Sequence, residues 1–369
     1  MQLSKKQIKS ILFSPTKIGG LVIPNRFVRS ATHDFMAEDD GSITDRQVDL
    51  FKNLAQGEAG LIITGHAYVH PSGKASPFQI GAYKDELVEG LQKLTEAVHR
   101  YPSRIFLQLS HAGRQTKPRL CQGTPLAPSP LYEPTFNITP REMKPEEIEQ
   151  TIDDFIQAGR RAKEAGFDGV QIHAAHGYLL SSFISPYTNR RQDKWGGNLT
   201  NRLRIVVEII KGLKKLLGQD FPVAAKLNST DFLDGGLDLE ESVKIAQILE
   251  ASGLDAVEVS GGMAEAGKGS VWKGIHPENE EGYFVQNAAI IKKAVSIPVF
   301  GLGGLRTFSV MEKIIKESLV DFISMSRPFI REPFLVKKFR QGQITKSECI
   351  SCNKCFNLRG IKCAQLEKR

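Results

Sequence analysis

The sequence predicts an α/β fold, a single (β/α)8 barrel with a long loop excursion after its third strand and a short cysteine-rich tail. Short β-branched runs alternate with amphipathic stretches of helical period, an order that makes neighbouring strands parallel. The alternation repeats eight times, which closes a parallel sheet into a barrel. The competing doubly wound sheet lacks its fingerprint, because Gly301-Leu302-Gly303-Gly304-Leu305-Arg306 has no glycine at the last position of G-x-G-x-x-G.

In chain order, strands are expected at residues 26–30, 60–64, 104–109, 168–173, 223–227, 256–260, 298–301 and 321–325. Between them, helices are expected at 45–58, 85–99, 145–165, 201–217, 239–251, 283–294 and 307–316. Residues 110–144 form a long loop holding Pro118, Pro125, Pro128, Pro130, Pro134 and Pro140, read as an excursion over the barrel mouth. The barrel is expected over residues 1–341 and the tail over 342–369.

Composition narrows the class. A chain of 369 residues that is 41% hydrophobic can bury a large core. Its net charge is +8, but the basic residues are dispersed and densest at the two ends, at Lys5, Lys6 and Lys9 and at Lys337, Lys338 and Arg340. That distribution favours anionic small ligands over a nucleic-acid groove. No apolar run is long enough to span a membrane. The opening MQLSKKQIKSILF has no apolar core of a signal peptide, so the compartment reads as cytoplasm. The Asn-x-Thr triplets at Asn137, Asn198 and Asn228 are accordingly read as idle.

Gly169 to Tyr187, GVQIHAAHGYLLSSFISPY, carries the chemistry. A buried strand ends in His173 and His176, followed by Gly177 and Tyr178. Two imidazoles and a phenol past a strand end can grip a carbonyl or nitro oxygen and supply a proton. The alternatives are a metal chelated by the two histidines, or plain strand-end packing. After strand seven, Gly303 and Gly304 let backbone N–H groups approach an anion; after strand eight stand Ser326 and Arg327. Together they read as a phosphate clamp, in the place where such barrels bind phosphate.

The cysteines are lopsided. Cys121 lies in the excursion loop, whereas Cys349, Cys352, Cys355 and Cys363 crowd the tail. Four thiolates so spaced suit a [4Fe–4S] cluster or a tetrahedral zinc.

These pieces together resemble the old yellow enzyme-type NADH:flavin oxidoreductase family of FMN barrels. The landmarks are Pro24-Asn25-Arg26-Phe27-Val28, Gly60-Leu61-Ile62-Ile63-Thr64, Gln108-Leu109-Ser110-His111-Ala112-Gly113-Arg114 and His173-Ala174-Ala175-His176-Gly177-Tyr178. A further landmark runs from Asn189-Arg190-Arg191 through Trp195-Gly196-Gly197 to Asn201-Arg202. The resemblance implies that Gln108 meets the flavin pyrimidine edge and that Lys226 stands beside flavin N1 and O2, where the family usually has arginine. It places Ser30, Ala31, Thr32 and His33 along the isoalloxazine, Gly65 and His66 near the same ring, and Gly303, Gly304, Ser326 and Arg327 at the FMN phosphate.

The implied reaction has two stages. NADH or NADPH reduces FMN and leaves, and an activated alkene takes its place. His173 and His176 hold the substrate oxygen, hydride passes to the β-carbon, and Tyr178 protonates the α-carbon. Homo-oligomers through the barrel helices are expected on the same ground. The tail resembles the cluster-binding stretch of trimethylamine dehydrogenase and 2,4-dienoyl-CoA reductase, with a shorter gap between Cys355 and Cys363. That supports an alternative, an iron–sulfur flavoprotein exchanging electrons with a partner protein. A second alternative, a dihydrouridine synthase-like tRNA reductase, needs a cysteine proton donor at the site.

Overall fold

Eight parallel strands close into a barrel in the computed structural model, which describes residues 8–267, 269–275 and 278–366, so Lys5 and Lys6 lie outside the described residues. The strands are β1 (Phe27–Arg29), β2 (Leu61–Ile63), β3 (Arg104–Ser110), β4 (Gly169–Ala174), β5 (Val223–Asn228), β6 (Ala256–Ser260), β7 (Val299–Gly301) and β8 (Phe322–Met325). Each pairs in parallel with the next, and β8 pairs with β1, which closes the ring. All eight fall inside or within a residue of the spans expected from sequence.

The outer ring comprises α1 (Asp45–Gln56), α2 (Val88–His99), α3 (Pro145–Glu164), α4 (Leu199–Leu217), α5 (Leu239–Ala251), α6 (Val285–Lys292), α7 (Phe308–Lys316) and α8 (Leu335–Arg340). The last is a short helix that the sequence pattern does not announce. Local chemistry sets the starts. Thr44 and Gln47 form a capping box on α1, Pro145 opens α3, and Asn198 and Asp238 cap α4 and α5 through the backbone N–H groups of Asn201 and Glu241. Asn198, one of the three idle triplets, is thereby explained as a helix cap.

The period-two alternation of side chains decides where the site lies. On the inner face the lower rungs are apolar: Val28, Leu61, Phe106, Ala224, Ala256, Phe300 and Phe322 share one cluster with Ile18 and Ile23. The two isoleucines come from an antiparallel hairpin, Thr16–Ile18 with Leu21–Ile23, which plugs the bottom of the barrel. Two residues further up, the same inner face turns polar, with Ser30, Gln108, Gln171, Lys226, Glu258 and Ser324. Intervening residues such as Ile105, Leu107, Val257, Val259 and Ile323 face outward and pack with the helices. The polar rungs therefore stand at the C-terminal ends of the strands, where a barrel opens.

The excursion after β3 holds a short helix, Pro118–Cys121, and a two-residue parallel pair, Leu126–Ala127 with Arg141–Glu142. It is tied across the mouth by an ion pair between buried Arg114 and Glu265, the latter in the loop after β6. The tail forms no helix or strand among the described residues and folds back on the mouth. Ser347 N donates to Arg306 O, Gly274 N to Ser351 O, and Ile361 N to Asp34 O. No helix among the described residues is long and apolar enough to cross a membrane.

Candidate active site

At the top of the barrel lies one cavity of about 230 Å3. His173, the fifth residue of β4, is 5% exposed, and its Nδ1 is buried without a hydrogen-bond partner. His176 follows in a turn whose backbone is left-handed at two successive residues, φ 64° at His176 and 81° at Gly177. Only glycine adopts that region freely, so the turn holds His176 in an uncommon conformation that aims its ring inward. Its backbone N–H donates to Asn228 Oδ1 (3.1 Å), and its Nε2 lies 2.7 Å from Ser260 Oγ. Tyr178 closes the group, with ring centroids 4.8 Å from His173 and 5.2 Å from His66.

Burial fixes the charge states here. Loss of solvation, reinforced by nearby Lys226, pulls His176 down to about 3 and His66 down to about 4. His173 is held well below its ordinary range by burial and then by His176, His66 and Lys226. All three are neutral near pH 7 and can offer an N–H without being acids. Burial pushes the Tyr178 hydroxyl up to about 12, so it keeps its proton.

Beneath the cavity runs a hydrogen-bonded chain. Gln108 Nε2 donates to Gln171 Oε1 (2.7 Å), and Gln171 Nε2 to Glu258 Oε2 (2.9 Å). Ser30 Oγ and Ser324 Oγ donate to Glu258 Oε1 at 2.7 and 2.5 Å. Lys226 Nζ donates to Ser30 Oγ (2.9 Å) and sits 3.2 Å from Glu258 Oε2. Burial alone raises the Glu258 carboxyl, but Lys226 and the donors from Ser324, Ser30 and Gln171 outweigh it and hold the group below the usual carboxylate range.

The remaining wall comes from β1, β7 and β8. Ser30, Ala31, Thr32 and His33 line one side. Thr32 Oγ1 lies 2.8 Å from Ser326 Oγ, and His33 Nε2 lies 2.6 Å from Ser76 Oγ. Burial, with His66 alongside, keeps His33 well below its ordinary range. Gly303 and Gly304 also line it, with φ 121° and 71°. A Cβ on Gly303 would come within 2.8 Å of Tyr283 N, so the bend and its exposed backbone require glycine there. Arg327 also lines the cavity, though its Nη1 already donates to Trp272 O (2.8 Å) and Asn353 Oδ1 (2.6 Å).

All the catalytic and flavin-site residues expected in the body of the chain therefore share this cavity, except Gly65. That glycine stands behind the wall: a Cβ there would lie 2.9 Å from Thr32 O, so it lets β2 pass close behind β1. Cys121 is a buried, packed thiol, pushed up by burial, and is not among the lining residues.

Two of the tail thiols, Cys349 and Cys355, line the cavity as well. Burial, then the neighbouring Cys349, Cys363 and Cys352, pushes Cys355 up to about 11, so the four sulfurs feel one another. Arg331 Nη1 donates to Cys363 Sγ at 3.7 Å. Among the described residues no three His, Cys, Asp or Glu side chains converge tightly enough to hold a metal ion, and the thiols stand as neighbours rather than as a formed ligand set.

Glu258, Gln171, Ser260 and Ser324 were not singled out from sequence. One signal was present. Glu258 sits in Val257-Glu258-Val259, a carboxylate between two valines in a buried strand, and such a charge must have partners.

The sequence and fold of this chain recur in known proteins. The family described as NADH:flavin oxidoreductase / NADH oxidase matches residues 11–346. An NADH oxidase of Thermoanaerobacter brockii is 41% identical over 346 residues, covering 93% of this chain and 52% of its own. An NADPH dehydrogenase of Bacillus subtilis is 34% identical over 327 residues, covering 88% of this chain and 93% of its own. A solved complex of 2-naphthoyl-CoA reductase with 2-naphthoyl-CoA superposes with a TM-score of 0.88 at 33% identity, covering 94% of this chain and 54% of that one. The chain thus spans about half the length of the NADH oxidase and of the reductase.

Proposed function

From membership of the NADH:flavin oxidoreductase / NADH oxidase family, to which this chain belongs, we propose that the protein is an FMN-dependent oxidoreductase of the ene-reductase type. Bound FMN supplies the hydride chemistry, accepting from NADH or NADPH and giving to the β-carbon of an activated C=C. The donor set fits that group: Gln108 offers both donor and acceptor to a pyrimidine edge, Lys226 a cation, and Gly303, Gly304, Ser326 and Arg327 an anion cradle.

The observation that carries the reading is the orphaned Nδ1 of His173, buried at the cavity wall beside His176 and Tyr178. A substrate carbonyl or nitro oxygen is the partner such a nitrogen needs. Neutral His173 and His176 bind that oxygen and stabilise the negative charge that develops on it. Tyr178 keeps its proton at neutral pH, which supports its role as the donor to the α-carbon.

The test is anaerobic. Protein loaded with FMN is reduced with NADH or NADPH and then mixed with 2-cyclohexenone. Bleaching followed by recovery of the flavin absorbance is expected, and His173→Ala with His176→Ala should abolish the recovery while FMN stays bound. A protein that takes up no FMN, or a double variant that reoxidises at the normal rate, refutes the reading.

A second reading rests on the thiols at the cavity wall. With a [4Fe–4S] cluster or zinc on Cys349, Cys352, Cys355 and Cys363, the chain would resemble an iron–sulfur reductase acting on an unsaturated acyl-CoA and trading electrons with a partner protein. Stoichiometric iron and acid-labile sulfide in anaerobically purified protein would favour it; their absence would leave the first reading alone. The tRNA-reductase alternative draws no support from Cys121, which does not line the cavity.

A further inference from the structure

Glu258 is fully buried and does not itself line the cavity, yet it holds three residues that do, Ser30, Ser324 and Lys226. Its two oxygens collect Ser30 and Ser324 on one side and Gln171 and Lys226 on the other, at 2.5–3.2 Å. Through Gln171 it also reaches Gln108. The contacts therefore join β3, β4, β5, β6 and β8 with Ser30, the residue just past β1. Both groups expected at the edge of the cofactor ring, Lys226 and Gln108, hang from this one carboxylate.

We propose that Glu258 is a positioning residue for the flavin site, fixing Lys226 and Gln108 beneath the ring edge and offsetting the Lys226 charge that the cofactor would otherwise feel. The inference rests on the FMN reading above and deepens it. The geometry gives two reasons. An ammonium on a flexible four-carbon stem needs a fixed counter-charge to be held in one place, unlike the planar fork of an arginine. The pair is also buried, at 6% and 0% side-chain exposure, so water does not screen its field and the carboxylate at 3.2 Å cancels much of it. A cation beside the ring favours the electron-rich reduced cofactor, and a carboxylate behind that cation weakens the preference. The paired lysine thus sets a lower midpoint potential than the same lysine unpaired.

The test compares wild type and Glu258→Gln, both reconstituted with FMN, by spectroelectrochemical midpoint and by the Kd of oxidised FMN. The amide should raise the midpoint, with the preference for reduced over oxidised FMN increasing about tenfold, which is about 30 mV for a two-electron couple. A merely structural Glu258 would lower the melting temperature and leave the midpoint where it was, and that result overturns the proposal. If Glu258→Gln does not fold, the neutral pair Lys226→Met with Glu258→Gln replaces it. Mutual cancellation predicts a midpoint within about tenfold of wild type on the same scale; a larger fall, as for loss of an unopposed cation, overturns the proposal. A wild-type protein that binds no FMN is a different failure, since it removes the underlying reading along with this one.

Discussion

His173 and Tyr178 meet edge to face, ring centroids 4.8 Å apart and planes at 61°, and both line the mouth of the barrel. Between them runs the turn that is left-handed at His176 and Gly177. A strand end followed by this turn brings three polar rings together within six residues of sequence. The turn is strained at one non-glycine position, by about 1–3 kcal/mol on general grounds. That cost is sustained by the surrounding contacts, notably the Asn228 amide oxygen on the His176 N–H and Gln115 Nε2 on the His176 carbonyl at 2.7 Å.

Removing one oxygen-binding imidazole should therefore slow turnover more than it weakens cofactor binding. His173→Ala is expected to lower kcat/KM for 2-cyclohexenone by roughly 10²–10³, the usual effect of losing one oxyanion donor. The rate of reduction by the nicotinamide should change far less. Stopped-flow measurement of the two half-reactions separates them, and an equal loss in both would place His173 in cofactor binding instead.

Tyr178→Phe keeps the ring contacts with His66 and His173 and deletes the proton. Reoxidation by an enone should fall by roughly 10²–10⁴, with bound FMN and melting temperature little changed. Because the hydroxyl is pushed up to about 12, the wild-type rate should show no loss from its ionisation below about pH 10. A variant with unchanged reoxidation would hand the proton delivery to water.

Acid should unfold this barrel earlier than its carboxylates alone would dictate. His66, His111 and His176 are pulled down to about 4, 3 and 3, in each case by burial first. Unfolded, each titrates near its ordinary value of about 6.5. Below that pH the unfolded chain binds more protons, so stability is full above about 6.5 and is lost as pH falls towards the folded values. Each such histidine costs on the order of 1.4 kcal/mol per pH unit across that window. Melting temperature followed by circular dichroism should drop steeply between pH 6.5 and 4; a flat profile there would contradict the neutral, buried assignment.

The barrel was legible because strand and helix periods alternate cleanly and the inner face repeats every second residue. Gln108, His173 and Lys226 could be placed for that reason, together with the family pattern. What escaped was whatever depends on residues far apart in sequence. Glu258 gathers partners from four other chain segments, and only the oddity of a carboxylate between two valines marked it. The hairpin that plugs the barrel is short, three residues a strand, below what alternation can reveal. The tail's cysteine spacing spoke of ligands, but its seat over the mouth depends on Asp34, Arg306 and Arg327, all remote from it in sequence.

Arg306 is the main fastener of that seat. Its guanidinium pairs with Glu281, at side-chain exposures of 4% and 0%, and its Nη1 donates to Cys349 O at 2.9 Å. Arg306→Ala strips the buried carboxylate of its counter-charge, although Glu281 keeps donors from Thr307 N and Oγ1 at 2.9 and 2.7 Å. A destabilisation of about 3 kcal/mol is expected, near the low end for a broken buried pair. The same change should release Cys349, now 9% exposed, from the wall. In metal-free protein, Cys349 should then react with a thiol reagent at least tenfold faster while the barrel stays folded, as judged by far-ultraviolet circular dichroism. Arg327→Ala, which frees Asn353 instead, should accelerate labelling less, because Asn353 Nδ2 retains its bond to Val271 O at 3.0 Å. Equal labelling rates in wild type and Arg306→Ala would mean that the tail is held by its other contacts, through Arg331 with Glu348 and Asp34 with Ile361.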